Sequence, residues 1–257
     1  MSTTAILSAL AEEQQGLIEQ LQNPQRTERA GRVFWTGYLH GQPVVLALSK
    51  IGKVAAATTA TTLIEAFGAR RIVFTGVAGG LGPDVQVGDV VVASGFVQHD
   101  MDASPLFPKH QIPLYGRSLF ECDAALSATL LKANYSALTG TSGLFHTENA
   151  AQPQIHQGLI VSGDRFVSAA AEAQWLRESL VTSGFNALAV EMEGAAVAQV
   201  CFDYGIPFAA VRTISDRADD TAHVDFPRFI KEVASRYALA IINALMQKLP
   251  KSASRAF

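Results

Sequence analysis

Five short stretches of this 257-residue chain carry side chains that could act on a ligand, and each directly follows a run that reads as a β-strand. They are Glu12 and Glu13, the glycine-rich stretch from Gly76 to Gly82, the segment Gly163 to Phe166, the pair Glu191 and Glu193, and Ser215 with Asp216. In open α/β sheets ligands sit beyond the carboxyl ends of strands, so carboxylates delivered there are placed for chemistry. Several such ends on one sheet can converge, and that pattern carries more weight than any single motif. The most pointed is VRTISDRADD at 211–220, where an apolar strand containing Arg212 runs into Ser215 and Asp216.

Each residue also has a plainer use. Ser215 and Asp216 are ordinary N-caps for a following helix. Glu191 and Glu193 suit the positive end of a helix, and Glu13 could be a solvated neighbour of Glu12. Met192 and Phe166 are residue types found more often in cores than against ligands. Arg212, flanked by apolar residues, could pair with a structural carboxylate. The glycines of GVAGGLG, Gly79 among them, permit either close approach of backbone to a ligand or a tight packed turn. That stretch has neither the GxGxxG spacing of dinucleotide sites nor a following GK[ST].

The elements that must position these residues alternate between strands and helices. Strands are expected at Thr4–Leu10, Val33–Leu39 and Gln42–Leu48 (turning at Gly41), and at Arg71–Thr75, with the glycine-rich stretch as a loop after it. Further strands are expected at Val90–Val97, Gly158–Ser162, Ala187–Val190 and Phe208–Ile214. Helical spacing of Leu17, Ile18 and Leu21 predicts a helix after Glu13, and other helices are expected up to Gly68, over Asp123–Ala133, Ala169–Leu180, after Glu193 and over Asp225–Leu249. Ala103–Gly116 is Pro-rich and irregular, Gly140–Gln157 is polar without a clear pattern, and about 250–257 reads as a frayed tail. No linker or repeat divides the chain. The expectation is one α/β domain over 1–257, with a central mixed, largely parallel sheet flanked by helices.

Composition narrows the function classes. Hydrophobic residues make up 49% and charged residues 17%, with a formal charge of -3, so there is no basic excess for binding nucleic acid. The histidines are scattered and Cys122 and Cys201 lie far apart, so no metal-ligand spacing is present and a reducing compartment is indicated. No apolar run is long enough to span a bilayer, and no basic leader precedes an apolar core at the N-terminus. A cytoplasmic protein without membrane, metal or organic cofactor is expected.

The ordered set SALAEE (8–13), KIGKVAAA (50–57), TGVAGGL (75–81), VGDVVVA (87–93), HDMD (99–102), LIVSGDRF (159–166), AVEMEGAAVA (189–198) and VRTISDRAD (211–219) resembles the purine nucleoside phosphorylase/nucleosidase superfamily. Within it the chain looks most like the methylthioadenosine/S-adenosylhomocysteine nucleosidases. The resemblance implies a nucleoside phosphorylase-like fold, a homodimer with region 103–116 near the partner subunit, and hydrolysis of the bond between adenine and a 5′-thio-substituted ribose. By this resemblance Asp216 protonates the purine's five-membered ring, Glu13 activates water and Arg212 belongs to the water-binding group. Glu193 would hold the ribose hydroxyls, Met192 would pack on the sugar, Phe166 would stack on adenine and the backbone of Val167 would read its polar edge. Glu191, Ser215, Gly79 and Val77 would line the same site. Val77 departs from the serine that the family often has there, SKIGKV lacks a common glycine, and the region 103–157 is longer than usual. The alternatives are a phosphate-dependent phosphorylase, disfavoured by Glu12 and Glu13 where phosphate would need cations, an aminodeoxyfutalosine nucleosidase, and a non-catalytic nucleoside-binding protein on the same fold.

Overall fold

The computed structural model describes residues 2–139, 153–219, 222, 226 and 229–250. The strands are β1 (Thr3–Ser8), β2 (Gln22–Arg29), β3 (Arg32–Leu39), β4 (Gln42–Leu48), β5 (Ala69–Gly80), β6 (Val90–Gln98), β7 (Leu119–Glu121), β8 (Ile155–Ser162), β9 (Ala187–Glu191) and β10 (Phe208–Asp216). The helices are α1 (Lys53–Phe67), α2 (Ala124–Thr139), α3 (Ala170–Thr182), α4 (Gly194–Tyr204) and α5 (Ser235–Lys248), the last preceded by a π-helical turn at Ile230–Ala234. The sheet is mixed. Its order is β10-β6-β8-β9-β5-β1-β4-β3-β2, and a further pairing of β10 with β5 closes β5, β10, β6, β8 and β9 into a ring. The interior strands are near-continuous apolar runs because helices cover both faces. Leu63, Phe74 and Val197 belong to the core on the side of α1 and α4, and Leu130, Val211 and Ile242 to that on the side of α2 and α5.

Three expectations change. The predicted helix after Glu13 is a single 3₁₀ turn at Ala11–Gln14. Leu17 and Leu21 are buried, but Gly16 at φ 86° breaks the helical path. The glycine-rich stretch is not a loop, since β5 continues to Gly80 through pairing with β9 and β10. β2 and β7 were not foreseen: β2 (QNPQRTER) is exposed along its whole length and pairs with β3 through backbone alone, so it carries no hydrophobic pattern. Most of the polar segment 140–157, the presumed start of the C-terminal helix at Asp225 and the tail 251–257 lie outside the described residues.

The length of β5 creates the site. Along one edge its first half pairs with β1 as far as Phe74, whereas Gly79 and Gly80 pair with β9. Between them the edge has no strand partner, and a buried backbone N–H left there would be costly. The chain leaving β1 turns back through Ala11–Gln14 and inserts Glu13 into this gap. Its Oε1 accepts the Val77 N–H at 3.1 Å, and the turn is pinned by Gln14 Nε2 donating to the carbonyls of Ile6 (3.2 Å) and Ala47 (2.8 Å). A Cβ at Gly76 would come within 2.9 Å of Glu13 Oε1, so only glycine leaves room for the carboxylate. Gly76→Ala should therefore cost about 1–3 kcal/mol of stability by overpacking. In a urea-unfolding double-mutant cycle, that cost should shrink clearly when Glu13 is already alanine.

Candidate active site

Beyond the strand ends lies a cavity of about 490 Å³ whose walls include Glu13, Val77, Gly79, Phe166, Glu191, Met192, Glu193, Ser215 and Asp216. Val167, expected beside adenine, has a buried side chain and lines a smaller recess that shares Gly79, Phe166 and Asp216 with this cavity. Six wall residues were not anticipated: Ala9, Leu10, Ile51, Ala78, Val190 and Phe226. No chemical type marks these apolar positions in a single sequence; the signal lies in the packing. Leu10 and Phe226 join Val77 on the apolar cluster around Phe229 and Ile230. Thus the side chain that replaces the family's serine packs against the C-terminal helical region, while its backbone N–H serves Glu13.

Burial separates Glu13 from Glu12. Glu12 is exposed, and Glu13 is 3% exposed. Glu13 Oε2 accepts the N–H groups of Ala9 (2.7 Å) and Leu10 (2.9 Å), besides the Val77 bond to Oε1. Burial pushes its pKa up, and the backbone donors and the charge of Arg212 partly oppose that rise. The result is a fixed carboxyl group whose proton affinity exceeds that of an ordinary glutamate.

Arg212 does not hydrogen-bond to Glu13. It lies inside the strand ring, 1% exposed, with one guanidinium nitrogen donating to the carbonyls of Phe74 and Val211 (both 3.1 Å) and the other to Glu191 Oε2 at 2.7 Å. The Phe74 ring lies 4.0 Å away, centroid to guanidinium carbon, in cation–π contact. Its guanidinium is engaged in a buried ion pair, and its influence on Glu13 is through charge. Glu191 is committed in the same way. It accepts the Gly194 N–H at 2.9 Å and the Ser162 hydroxyl besides Arg212, at the start of α4. It lines the cavity but its oxygens are engaged by the protein.

Glu193 faces a different balance. Its Oε1 accepts the Gly52 N–H at 2.7 Å, and Gly52 adopts φ 97°, a conformation open to glycine, just before α1. The neighbouring Lys53 anchors this turn: its N–H donates to Asp164 Oδ1 (2.7 Å), and its ammonium donates to Asp100 (2.6 Å) and Gln98 (3.0 Å). Burial first, and then the Glu191 charge, push the Glu193 pKa up to about 8. Asp216, 1% exposed at the end of β10, accepts the Ser215 hydroxyl at Oδ2 and the Ala218 N–H at Oδ1, both at 2.8 Å. A Cβ at Gly79 would lie 2.9 Å from Asp216 Oδ1, so here too a glycine makes room for a carboxylate. Phe166 meets Phe226 edge to face, with centroids 5.5 Å apart, at the exposed side. Among the described residues no cluster of three or more His, Cys, Asp or Glu is arranged to hold a metal ion, and no helix is long and apolar enough to cross a membrane.

A ring of strands with buried carboxylates at one end, opening on an apolar cavity with an aromatic edge, defines a nucleoside phosphorylase-like protein. The model of the phosphorylase superfamily matches residues 3–247. A methylthioadenosine/S-adenosylhomocysteine nucleosidase of Chromohalobacter salexigens is 35% identical over 250 residues, covering 97% of this chain and 98% of that protein. An aminodeoxyfutalosine nucleosidase of Helicobacter pylori is 34% identical over 235 residues, covering 91% and 94%. The solved structure of the Neisseria meningitidis methylthioadenosine/S-adenosylhomocysteine nucleosidase with methylthio-immucillin-A superposes with a TM-score of 0.84 at 33% identity, covering 97% of this chain and 100% of that one. The chain belongs to the phosphorylase superfamily and, within it, to the methylthioadenosine/S-adenosylhomocysteine nucleosidase family.

The elevated Glu193 pKa has a measurable consequence. The folded protein holds this proton more tightly than the unfolded chain, so the contribution is complete below the ordinary value of 4.5 and is lost as pH rises to about 8. Glu193→Gln should gain thermal stability relative to the wild type as pH rises through that window, as measured by paired melting curves. A constant difference across the window would contradict the assignment.

Proposed function

We propose that the protein hydrolyses the N-glycosidic bond of 5′-methylthioadenosine and S-adenosylhomocysteine, releasing adenine and a 5-thio-substituted ribose. The observation that carries this reading is the lining of the cavity: the carboxyl groups of Glu13, Glu193 and Asp216 open on it, and no Lys, Arg or His is among its described wall residues. Such a site suits a ribose that develops oxocarbenium-like positive charge as its bond breaks. It offers phosphate no cation, which favours water as the nucleophile over phosphorolysis.

In this reading Asp216, held by Ser215 and the Ala218 N–H, delivers a proton to the five-membered ring of adenine so that the base leaves neutral. Glu13 takes a proton from water. Its Oε1 accepts one backbone N–H, and a carboxylate oxygen has a second lone pair to direct at that water. Burial raises the proton affinity of Glu13, which makes it a stronger base than a solvated glutamate. Glu193 receives the ribose hydroxyls, Met192 packs on the sugar, and Phe166 stacks on adenine beside the Val167 backbone. Arg212 and Glu191 act as positioning residues beneath them.

A homodimer belongs to the same proposal. Leu106 is 84% and Leu114 92% exposed in the 103–116 region, and Ile51 and Val54 are exposed on the turn and helix that border the cavity, all apolar side chains that a second copy would cover. Action in the cytoplasm, in methionine salvage, completes the reading. The test is Asp216→Asn. It should lower kcat for methylthioadenosine by about 10²–10⁴-fold while leaving the Kd for an uncleavable adenine nucleoside analogue within a few-fold of the wild-type value. Near-native turnover would remove Asp216 from the acid role.

A further inference from the structure

Three segments beside the candidate site are joined by a closed ring of hydrogen bonds. The Lys53 N–H, at the start of α1, donates to Asp164 Oδ1 at 2.7 Å. The Asp164 N–H, in the segment after β8, donates to Asp100 Oδ2 at 2.9 Å. Asp100, just past β6, closes the ring by accepting the Lys53 ammonium at Oδ1, 2.6 Å away. That ammonium also donates to Gln98 Oε1 (3.0 Å), and Gln98 Nε2 donates to Gln199 Oε1 (2.9 Å) on α4. The N-cap of α1 is Gly52, which has no side chain to cap it. Asp164 supplies, from another segment, the acceptor that the first N–H groups of a helix need. A Cβ at Gly52 would lie 3.2 Å from Asp164 Oδ1, so the carboxylate sits tightly against this turn.

No member of the ring lines the cavity, yet each bears on a residue that does. Lys53 follows Gly52, whose N–H donates to Glu193 Oε1. Asp164 stands just before Arg165 and Phe166, the aromatic wall. The Gln98–Gln199 link reaches α4, which begins directly after Glu193. Burial works against ionisation of Asp100, but the Lys53 ammonium and the Asp164 N–H outweigh it and hold its pKa below the ordinary value. The ring therefore keeps its charges at neutral pH. The side chains of Lys53 and Asp100 are 15% and 31% exposed, and partly exposed ion pairs add little to stability. What the ring supplies is geometry.

We propose that Lys53, Asp100 and Asp164 are positioning residues for catalysis, holding the Gly52 N–H on Glu193 and the Phe166 segment at a matched separation across the cavity. The inference rests on the nucleosidase reading and adds to it residues that never touch the substrate. Glu193 faces Glu191 on β9, Arg212 on β10 and Glu13 in the turn after β1, and Asp216 lines the same cavity. Among these influences the Gly52 N–H favours the charged form of Glu193. Loosening that bond raises the Glu193 pKa further.

The test is the pH profile of kcat/KM for methylthioadenosine in Asp164→Ala, Asp164→Asn and Lys53→Met, read beside their melting temperatures. Asp164 is exposed, so its alanine variant should melt close to the wild type. Its kcat/KM should fall by about 10–100-fold, and the inflection that Glu193 contributes should move to higher pH. Lys53→Met should act in the same direction, and it keeps the test open if Asp164→Ala fails to fold. Asp164→Asn, whose amide oxygen can accept the Lys53 N–H, should recover most of the loss. Wild-type kcat/KM in Asp164→Ala would overturn the inference, as would a loss that leaves the inflection in place or that asparagine does not repair. No cleavage by the wild type would instead overturn the nucleosidase reading. Melting curves of Asp164→Ala with and without Glu193→Gln would then still decide the ring, since the contribution of the Glu193 proton should persist to higher pH than in the wild-type pair.

Discussion

The ion pair of Arg212 with Glu191 is the constraint on which the rest of the site depends. A guanidinium 1% exposed and a carboxylate 7% exposed meet at 2.7 Å inside the strand ring. Taking both out of water is expensive, and attraction repays it only where the remaining donors and acceptors are also matched. Here they are matched by the ring itself: the Phe74 carbonyl from β5, the Ser162 hydroxyl from β8 and the Gly194 N–H from α4. One interaction thus ties β5, β8, β9 and β10 together at the end where the ligand cavity opens. Removing either partner would leave an uncompensated buried charge, a loss of about 3–5 kcal/mol in comparable cases.

The same pair sets the electrostatics of its neighbours. One buried cation stands among Glu13, Glu191, Glu193 and Asp216. With Glu191 paired to it, the remaining carboxyl groups share little compensation. Burial and the Glu191 charge therefore drive Glu193 up to about 8, and burial drives Glu13 upward against the pull of Arg212 and three backbone donors. Groups whose pKa values are displaced in this way are suited to holding and passing protons near neutral pH. The gap in β5 adds the geometric half of the design, since an edge left by β1 and not yet joined by β9 must be completed, and Glu13 completes it.

Strand ends were legible in the sequence because buried strands are continuous apolar runs, and residues from all five candidate stretches that follow them line one cavity. What escaped has physical causes. The partner of Arg212 remained open between water binding and ion pairing, because that choice is made by tertiary proximity of β9 and β10. Glu12 and Glu13 differ by burial, which no local pattern reports in a turn this short. Glycines suggested a loop, yet at Gly76 and Gly79 they serve an extended strand approached by Glu13 and Asp216. β2, polar and exposed throughout, is a strand because β3 offers it a free edge. Phe226 and Ile51 enter the site as ordinary apolar residues.

Phosphorolysis needs a cation to hold phosphate, and a cavity lined by carboxyl groups, with no Lys, Arg or His among its described walls, favours water instead. The most direct measurement is cleavage of methylthioadenosine in ¹⁸O-labelled water, with and without inorganic phosphate. Adenine should be released at the same rate in both, with the label in the 1-hydroxyl of the ribose product. Release that requires phosphate, with ribose 1-phosphate as the product, would contradict it.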